Sequence, residues 1–282
     1  MAGTLGAVMP AGRPNYLLRR GVALALLLGL LFISVQAVSW LTSLGDDPAS
    51  ATGTTTTQAP DSTTASVAAV AIEAPPACAF AETLTESPLA EDWQRSIVDT
   101  DRRLPADYVP TGLGSASAAG FQEEYEVRDV MVDDLAALRQ AADQNGTPIE
   151  LIAAYRSVAD QQDLFSRREA ELGFEAAAAR TARPGHSEHH LGTAVDFKTA
   201  GEPDVFQSWA DEPTGQFVLA NAHRFGFVNS FPRGLEAKTC YDFEPWHFRY
   251  FGVDLATRIH DSGLSAREYM WHWQATGAEP TT

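Results

Sequence analysis

Two short segments of the chain hold residue types that could bind a catalytic metal ion and activate water beside it. One segment reads SEHHLGTAVD, and the other, further along the chain, reads EPWH. His189, Asp196 and His247 offer two imidazoles and one carboxylate, which suits catalytic zinc because a fourth position stays open for water. Glu244 precedes His247 by three residues, where a general base could act on that water. The two segments therefore predict a zinc hydrolase site.

A structural zinc centre fits this sequence less well. Such a centre fills all four ligand positions with protein atoms and more often uses cysteine. The chain has only Cys78 and Cys240, and neither lies within the two segments. We therefore expect an open, catalytic site.

The segments that must position these residues alternate between short helices and short strands. Apolar residues recur at helical spacing over 132–145, where an Asn-Gly pair provides a helix stop. The apolar run 149–155 predicts a buried strand that leaves Arg156 at its end. A second helix is predicted over 159–172.

The metal-binding residues fall on a loop and on strands. Residues 181–188 have loop composition and lead to His189, while 192–197 predict a strand that carries Asp196. A further strand or turn is expected over 248–251, directly after His247.

The remaining elements complete a mixed pattern. Residues 217–225 predict a helix and 226–228 a strand, and Ser265 with Glu268 forms a capping-box signature for a last helix. There is no regular βαβ repeat. The predicted fold class is α+β, with a small central antiparallel sheet that carries the zinc site and helices that flank it.

The N-terminal part of the chain predicts a membrane anchor. Residues 21–41 form an apolar run of about the length that spans a bilayer as a helix. Arg19 and Arg20 directly precede it and no acidic residue occurs before Asp46, which favours a cytoplasmic segment 1–20 and an external remainder. A cleaved signal peptide is the alternative, since VQA before VSW could serve as a cleavage site.

Composition then separates a tether from a folded domain. Residues 42–76 are rich in Thr, Ala, Ser and Pro and lack the bulky apolar residues of a core, so we expect a disordered linker. One folded domain is expected over 78–275. An exported domain with two cysteines favours a disulfide between Cys78 and Cys240, with two free thiols as the alternative.

The charge is distributed unevenly about the predicted anchor. The net charge is −17, and all 37 acidic residues lie after residue 45, together with 17 of the 20 basic ones. A strongly acidic external part argues against nucleic acid and anionic lipid as partners. We expect a monomer.

Two motifs and an upstream segment resemble a known peptidase family. AYRSVADQQDLF resembles the Tyr-Arg-Ser…Gln-x-x-Leu-Phe stretch of that family. Seven residues match its motifs S-x-H-x-x-G-x-A-x-D and E-x-x-H: Ser187, His189, Gly192, Ala194, Asp196, Glu244 and His247. Over about residues 90–272, the chain resembles the zinc D-alanyl-D-alanine carboxypeptidases of the VanY and VanX type.

This resemblance implies an activity and a substrate. We expect a Zn²⁺ enzyme, bound to the bacterial cell membrane by one helix with its catalytic domain outside, that removes terminal D-alanine from peptidoglycan stem peptides. An LD-carboxypeptidase or an L-alanyl-D-glutamate endopeptidase would use the same zinc residues. A catalytically inactive module that only binds wall peptide is a further alternative, but such a module would be expected to lose Arg156 or Glu244.

We also expect specific roles for the other residues near the predicted zinc site. Arg156 either stabilises the oxyanion that forms on attack or clamps the terminal carboxylate of the substrate. By resemblance, Ser187 and Gln161 form hydrogen bonds to the substrate. His186 and His190 are expected not to bind metal, because the motif uses the histidine two residues after the serine.

Overall fold

The computed structural model describes residues 72–80, 85–121 and 125–280, all of which lie within the unit Val67–Thr282. The predicted anchor at 21–41 and most of the predicted linker lie outside these ranges. Within them, no helix is both long enough and apolar enough to cross a membrane.

Short strands form two antiparallel sheets in the described part of the chain. The strands are β1 (Leu113–Ser115), β2 (Glu126–Arg128), β3 (Ile149–Ala153), β4 (Ala194–Thr199), β5 (Phe227–Asn229) and β6 (His247–Tyr250). β1 pairs with β2, and the other four form a sheet in the order β3-β4-β6-β5. Its register places Asp196 of β4 directly opposite His247 of β6. The predicted α+β class with an antiparallel sheet is therefore confirmed.

Helices of varied length connect these strands. The α-helices of the described residues are α1 (Val132–Gln144), α2 (Val158–Leu172), α3 (Phe174–Ala178), α4 (Pro213–Asn221), α5 (Glu236–Thr239), α6 (Val253–Ser262) and α7 (Ala266–Thr276). Local sequence explains several helix starts. The hydroxyl of Ser157 caps α2, proline occupies the first turn of α4, and the predicted capping box of Ser265 and Glu268 opens α7.

The element boundaries differ from prediction where tertiary pairing or a turn intervenes. The strand predicted over 149–155 ends at Ala153, after a bulge in its pairing with β4. The strand predicted from Gly192 begins two residues later, because Gly192 has φ +70° and closes the 3₁₀ helix Glu188–Leu191. The helix predicted over 217–225 starts earlier, at Pro213, and its last turn is a separate 3₁₀ helix.

Two apolar clusters hold the sheet in place. In the larger one, α1 and α4 pack against the sheet through buried Leu, Val and Phe side chains: Leu135, Leu138, Phe197, Val218, Phe227 and Phe248. In the second, α6 and α7 pack around Phe251, directly after β6. Burial of a large apolar side chain stabilises the fold by about 1.5–3 kcal/mol. The strands that carry the metal-binding residues therefore rest on a rigid core.

The N-terminal segment of the domain is attached to its C-terminal part. A disulfide joins Cys78 to Cys240, so the predicted bridge is confirmed. Close by, the backbone N–H of Glu73 donates to Nδ1 of His272 on α7 at 2.9 Å. The disulfide and this hydrogen bond hold residues 72–80 against Cys240, four residues before Glu244, and against α7.

Candidate metal centre and catalytic cleft

Three potential metal ligands converge from separate elements. His189 lies in the 3₁₀ helix Glu188–Leu191, which the hydroxyl of Ser187 caps, while Asp196 and His247 face each other across the sheet. One ligand atom from each of the three lies within 4.8 Å of the others. Nδ1 of His247 is 3.0 Å from Oδ1 of Asp196, and Nε2 of His189 is 3.4 Å from its Oδ2. The structure therefore brings the three sequence-predicted ligands together.

The two imidazoles face Asp196 with different nitrogens. His189 uses Nδ1 for the backbone carbonyl of Ala154, at 2.7 Å, which leaves Nε2 for the centre. His247 has Nε2 at 2.9 Å from the carboxylate of Glu188, which leaves Nδ1 for the centre. An acceptor behind each ring holds the proton on the outer nitrogen, as metal-binding histidines require.

The electrostatics of this cluster suit a divalent cation. Burial would raise the pKa of Asp196, but His189 and His247 outweigh burial and hold it well below its usual range. Burial lowers the pKa of His189. Burial also opposes the protonation of His247, yet Asp196 and Glu188 raise its pKa to about 10. Two imidazole nitrogens and a carboxylate oxygen form a common donor set for catalytic zinc, so these residues fit that metal.

Glu244 lies at the same cleft, on the turn that leads into β6. Its backbone N–H donates to the carbonyl of Phe231 at 3.1 Å. The side-chain amide of Asn229 donates to the backbone carbonyls of both Glu244 and His247, at 2.7 and 2.8 Å. Burial raises the pKa of the Glu244 carboxyl group to about 8, although His247 and Arg156 attract negative charge there. Asn229 thus fixes the turn that carries both residues.

Arg156 follows β3 as predicted and is anchored by Gln161. Nη1 of Arg156 donates to Oε1 of Gln161 at 2.9 Å, and Nε2 of Gln161 donates to the carbonyl of Ala182 at 2.7 Å. Both ends of the Gln161 amide therefore form hydrogen bonds within the protein. The carbonyl of Arg156 also accepts a hydrogen bond from the ring of His190.

All seven residues predicted for the site line one cleft. Its volume is about 210 Å³. The residues are Arg156, Gln161, Ser187, His189, Asp196, Glu244 and His247. Ser187 accepts the backbone N–H of His189 at its hydroxyl oxygen, so its hydroxyl hydrogen can still be donated. The carboxyl group of Glu244, the guanidinium of Arg156 and three candidate metal ligands thus share one cleft.

Glu188 and Arg249 are a pair that our sequence interpretation missed. Oε1 of Glu188 accepts from Nη1 of Arg249 at 3.1 Å, while its other oxygen contacts His247. Burial would raise the pKa of Glu188, but the hydrogen bond from His247 and the charge of Arg249 lower it to about 2. Their positions, one residue before His189 and two after His247, are the only sequence signal for this pair.

His186 and His190 have structural roles. Nδ1 of His186 lies 2.6 Å from the carbonyl of Asp99, and Nε2 of His190 accepts the N–H of Gly185 at 3.1 Å. Burial lowers the pKa of each to about 4, so both rings are neutral at neutral pH. Neither belongs to the cluster of His189, Asp196 and His247.

The chain is similar to proteins of one peptidase family. The model of the family VanY, D-alanyl-D-alanine carboxypeptidase, matches residues 124–253, a range that contains all seven cleft residues. A D-alanyl-D-alanine carboxypeptidase of Enterococcus faecalis (strain ATCC 700802 / V583) is 31% identical over 193 residues. That match covers 64% of this chain and 66% of the relative, slightly less than two thirds of its length.

Two solved structures share the fold. One is a vancomycin-resistance D,D-pentapeptidase VanY mutant from a VanB-type cassette in complex with Zn(II), with a TM-score of 0.55 and 28% identity over 63% of this chain and 99% of that one. The other is the LdcB LD-carboxypeptidase, with a TM-score of 0.60 and 27% identity over 66% of this chain and 89% of that one.

Proposed function

Because the chain belongs to the VanY family of D-alanyl-D-alanine carboxypeptidases, we propose that it is a zinc-dependent D,D-carboxypeptidase acting on peptidoglycan stem peptides. The observation that carries the proposal is the single cleft in which His189, Asp196 and His247 converge beside Glu244 and Arg156. A module that only binds wall peptide would be expected to lose Arg156 or Glu244, and both are present.

His189 through Nε2, His247 through Nδ1 and Asp196 through its carboxylate would hold the zinc ion. The bound metal supplies a Lewis acid that polarises the scissile carbonyl and acidifies water. Glu244 takes the proton of the attacking water and transfers it to the leaving amine. Burial of Glu244 favours the protonated form, whereas His247 and Arg156 favour the carboxylate form that can accept a proton from water.

Arg156 stabilises the negative charge that develops on the carbonyl oxygen. A guanidinium remains charged at every physiological pH, and its hydrogen bond to Gln161 holds it in one orientation. Gln161 thereby acts on the substrate through Arg156. Ser187 donates its hydroxyl hydrogen to the bound peptide.

A second activity is supported by the comparison with solved structures. The LdcB structure, which has a higher TM-score than the VanY structure, is that of an LD-carboxypeptidase. The same zinc site would then cleave a single terminal D-alanine from the preceding L-configured centre. The family model and the E. faecalis relative favour the D,D activity, which we retain as the first candidate.

Mass spectrometry of defined stem peptides separates these candidates. Peptides that end in D-alanyl-D-alanine and peptides that end in a single D-alanine are incubated with the zinc-loaded protein. Loss of one alanine from the first set alone supports the D,D activity, and loss from the second set supports the L,D activity. If neither set is cleaved, the proposed function is wrong.

We further propose that residues 21–41 anchor the enzyme in the bacterial cell membrane and that residues 42–76 carry the catalytic domain outside. The Arg residues before the apolar run and the Cys78–Cys240 disulfide support this location, because disulfides persist in oxidising compartments. Protease added to intact cells should release the domain from the membrane fraction. A mature N-terminus near residues 38–40 would instead establish a cleaved signal peptide.

A further inference from the structure

The two histidines of the metal centre are held by different kinds of acceptor. Behind His189 stands a neutral backbone carbonyl, that of Ala154. Behind His247 stands the carboxylate of Glu188, at 2.9 Å from Nε2. A neutral imidazole carries one proton on either nitrogen, and the acceptor behind the ring decides which nitrogen carries it. Both nitrogens of His247 face a carboxylate, since Nδ1 lies 3.0 Å from Asp196. With a metal ion between Nδ1 and Asp196, the Glu188 carboxylate would keep the ring proton on Nε2 and leave Nδ1 to the metal.

Glu188 is itself fixed by Arg249. Nη1 of Arg249 donates to Oε1 of Glu188, and its Nη2 donates to the backbone carbonyls of Trp93 and Ser96 at 3.0 and 2.7 Å. The guanidinium lies 4.5 Å from the ring centre of Phe251. Both carboxylate oxygens of Glu188 are thus engaged, one by Arg249 and one by His247. The side chains of Glu188 and Arg249 are only 10% and 3% exposed, so water does not compete freely for these bonds.

The chain positions of these residues make the contact a link between the two metal-binding segments. Glu188 directly precedes His189, whereas Arg249 lies two residues after His247 on β6 and therefore on the same face of that strand. The Glu188 carboxylate reaches from the first segment to the second. It orients a ligand that lies 59 residues away in sequence.

We propose that Glu188, held by Arg249, is a positioning residue that fixes the tautomer and orientation of His247 and thereby sets the zinc affinity of the centre. The inference rests on the zinc assignment of the proposed function. An ionised acceptor also increases the electron density of the ring, so Nδ1 becomes a stronger donor to the metal. Glu188 has no contact with the reacting atoms in this role.

Glu188→Gln tests the proposal with nearly unchanged shape. Glutamine removes the charge, and its NH₂ group can face Nε2 of His247, which permits the tautomer with the proton on Nδ1. We expect zinc affinity of the full-length chain, measured by competition with a chromophoric chelator, to fall by about 10- to 100-fold. The matched control is Glu150→Gln, which removes a carboxylate of β3 that pairs with Lys198 at 3.0 Å, and it should leave zinc affinity unchanged.

A spectroscopic measurement keeps the test independent of how well a variant folds. With ¹⁵N-labelled histidines, the wild-type zinc protein should show His247 with its proton on Nε2 and its Nδ1 on the metal. A proton on Nδ1 of His247, or zinc affinity of Glu188→Gln within about twofold of wild type, would overturn the proposal. Both readouts need no substrate. Failure to cleave stem peptides would therefore refute the proposed function and leave this inference untouched.

Discussion

Two clusters of charged residues in this domain differ in where their charged groups find partners. At the end that joins the N- and C-terminal segments, Arg267 of α7 contacts Asp99 and Asp101 at 2.5 and 2.7 Å and donates to the carbonyl of Lys238 at 2.9 Å. Trp271 donates a further hydrogen bond to Asp99. Each nitrogen of the Arg267 guanidinium thus donates to a protein acceptor, and we call the group of Arg267, Asp99, Asp101 and Trp271 the terminal clamp.

The metal centre is arranged differently. Its outer groups form hydrogen bonds within the protein: Glu188 contacts Arg249 and the ring of His247, and the carbonyl of Ala154 contacts the ring of His189. Its inner groups instead line the cleft: two imidazole nitrogens, one carboxylate and the carboxyl group of Glu244. Buried charges that pair with each other within the protein stabilise the fold. Buried charged groups that line a cleft can instead bind a metal ion or a substrate.

The largest expected effect is the removal of two metal ligands. His189→Ala combined with His247→Ala leaves one carboxylate, so the protein should lose zinc and all peptidase activity. Elemental analysis should find about one zinc per wild-type chain and none in the variant. Circular dichroism should show that the variant stays folded, because the apolar clusters do not depend on the metal. Full zinc content in the variant would contradict the ligand assignment.

Substitution of Arg267 in the terminal clamp should lower the stability of the domain and leave its zinc affinity unchanged. Arg267→Ala removes the ion pair of the buried Asp99 carboxylate, which should lower the free energy of unfolding by about 3–5 kcal/mol. Denaturant titration measures this loss, and chelator competition on the folded variant should give the wild-type zinc affinity. Weakened zinc binding by the folded variant would show that the two clusters are coupled.

Glu244→Gln should affect catalysis alone. The substitution keeps the shape of the side chain and removes the base, so kcat should fall by about a hundredfold or more while zinc content stays constant. Steady-state kinetics on a D-alanyl-D-alanine peptide provide the measurement, with Glu150→Gln as the control for the loss of a carboxylate elsewhere. Wild-type kcat in Glu244→Gln would rule out its role as base.

The smallest effect is expected at an exposed pair near the cleft. Arg180 contacts Asp242 at 3.0 Å, but the two side chains are 60% and 45% exposed. Solvent screens such pairs, so Arg180→Ala should change the free energy of unfolding by less than about 1 kcal/mol. If Arg180→Ala lowers the free energy of unfolding as much as Arg267→Ala does in the same denaturant titration, solvent exposure does not explain the difference between the two ion pairs.

The sequence by itself determined those features that depend on local spacing and residue chemistry. The motif around His189 and Asp196, the E-x-x-H of Glu244 and His247, and the capping box of Ser265 could be read directly, because each lies within a few residues of chain. The pairing of the two cysteines also followed from their number and their expected compartment. Helices α1 and α2 agreed with their apolar periodicity within about two residues.

Only the tertiary structure decided how these pieces act on one another. Glu188 and His247 are 59 residues apart, and Asp99 and Arg267 are 168 apart, so nothing in local spacing connects them. The same holds for Asn229, which fixes the turn at Glu244, and for the internal hydrogen bonds of Gln161. Residue types set which groups can bind zinc or move a proton. The pairing of β4 with β6 places Asp196 beside Nδ1 of His247, and the 3₁₀ helix before β4 places Glu188 beside its Nε2. Orientation within a buried site depends on all the elements that surround it.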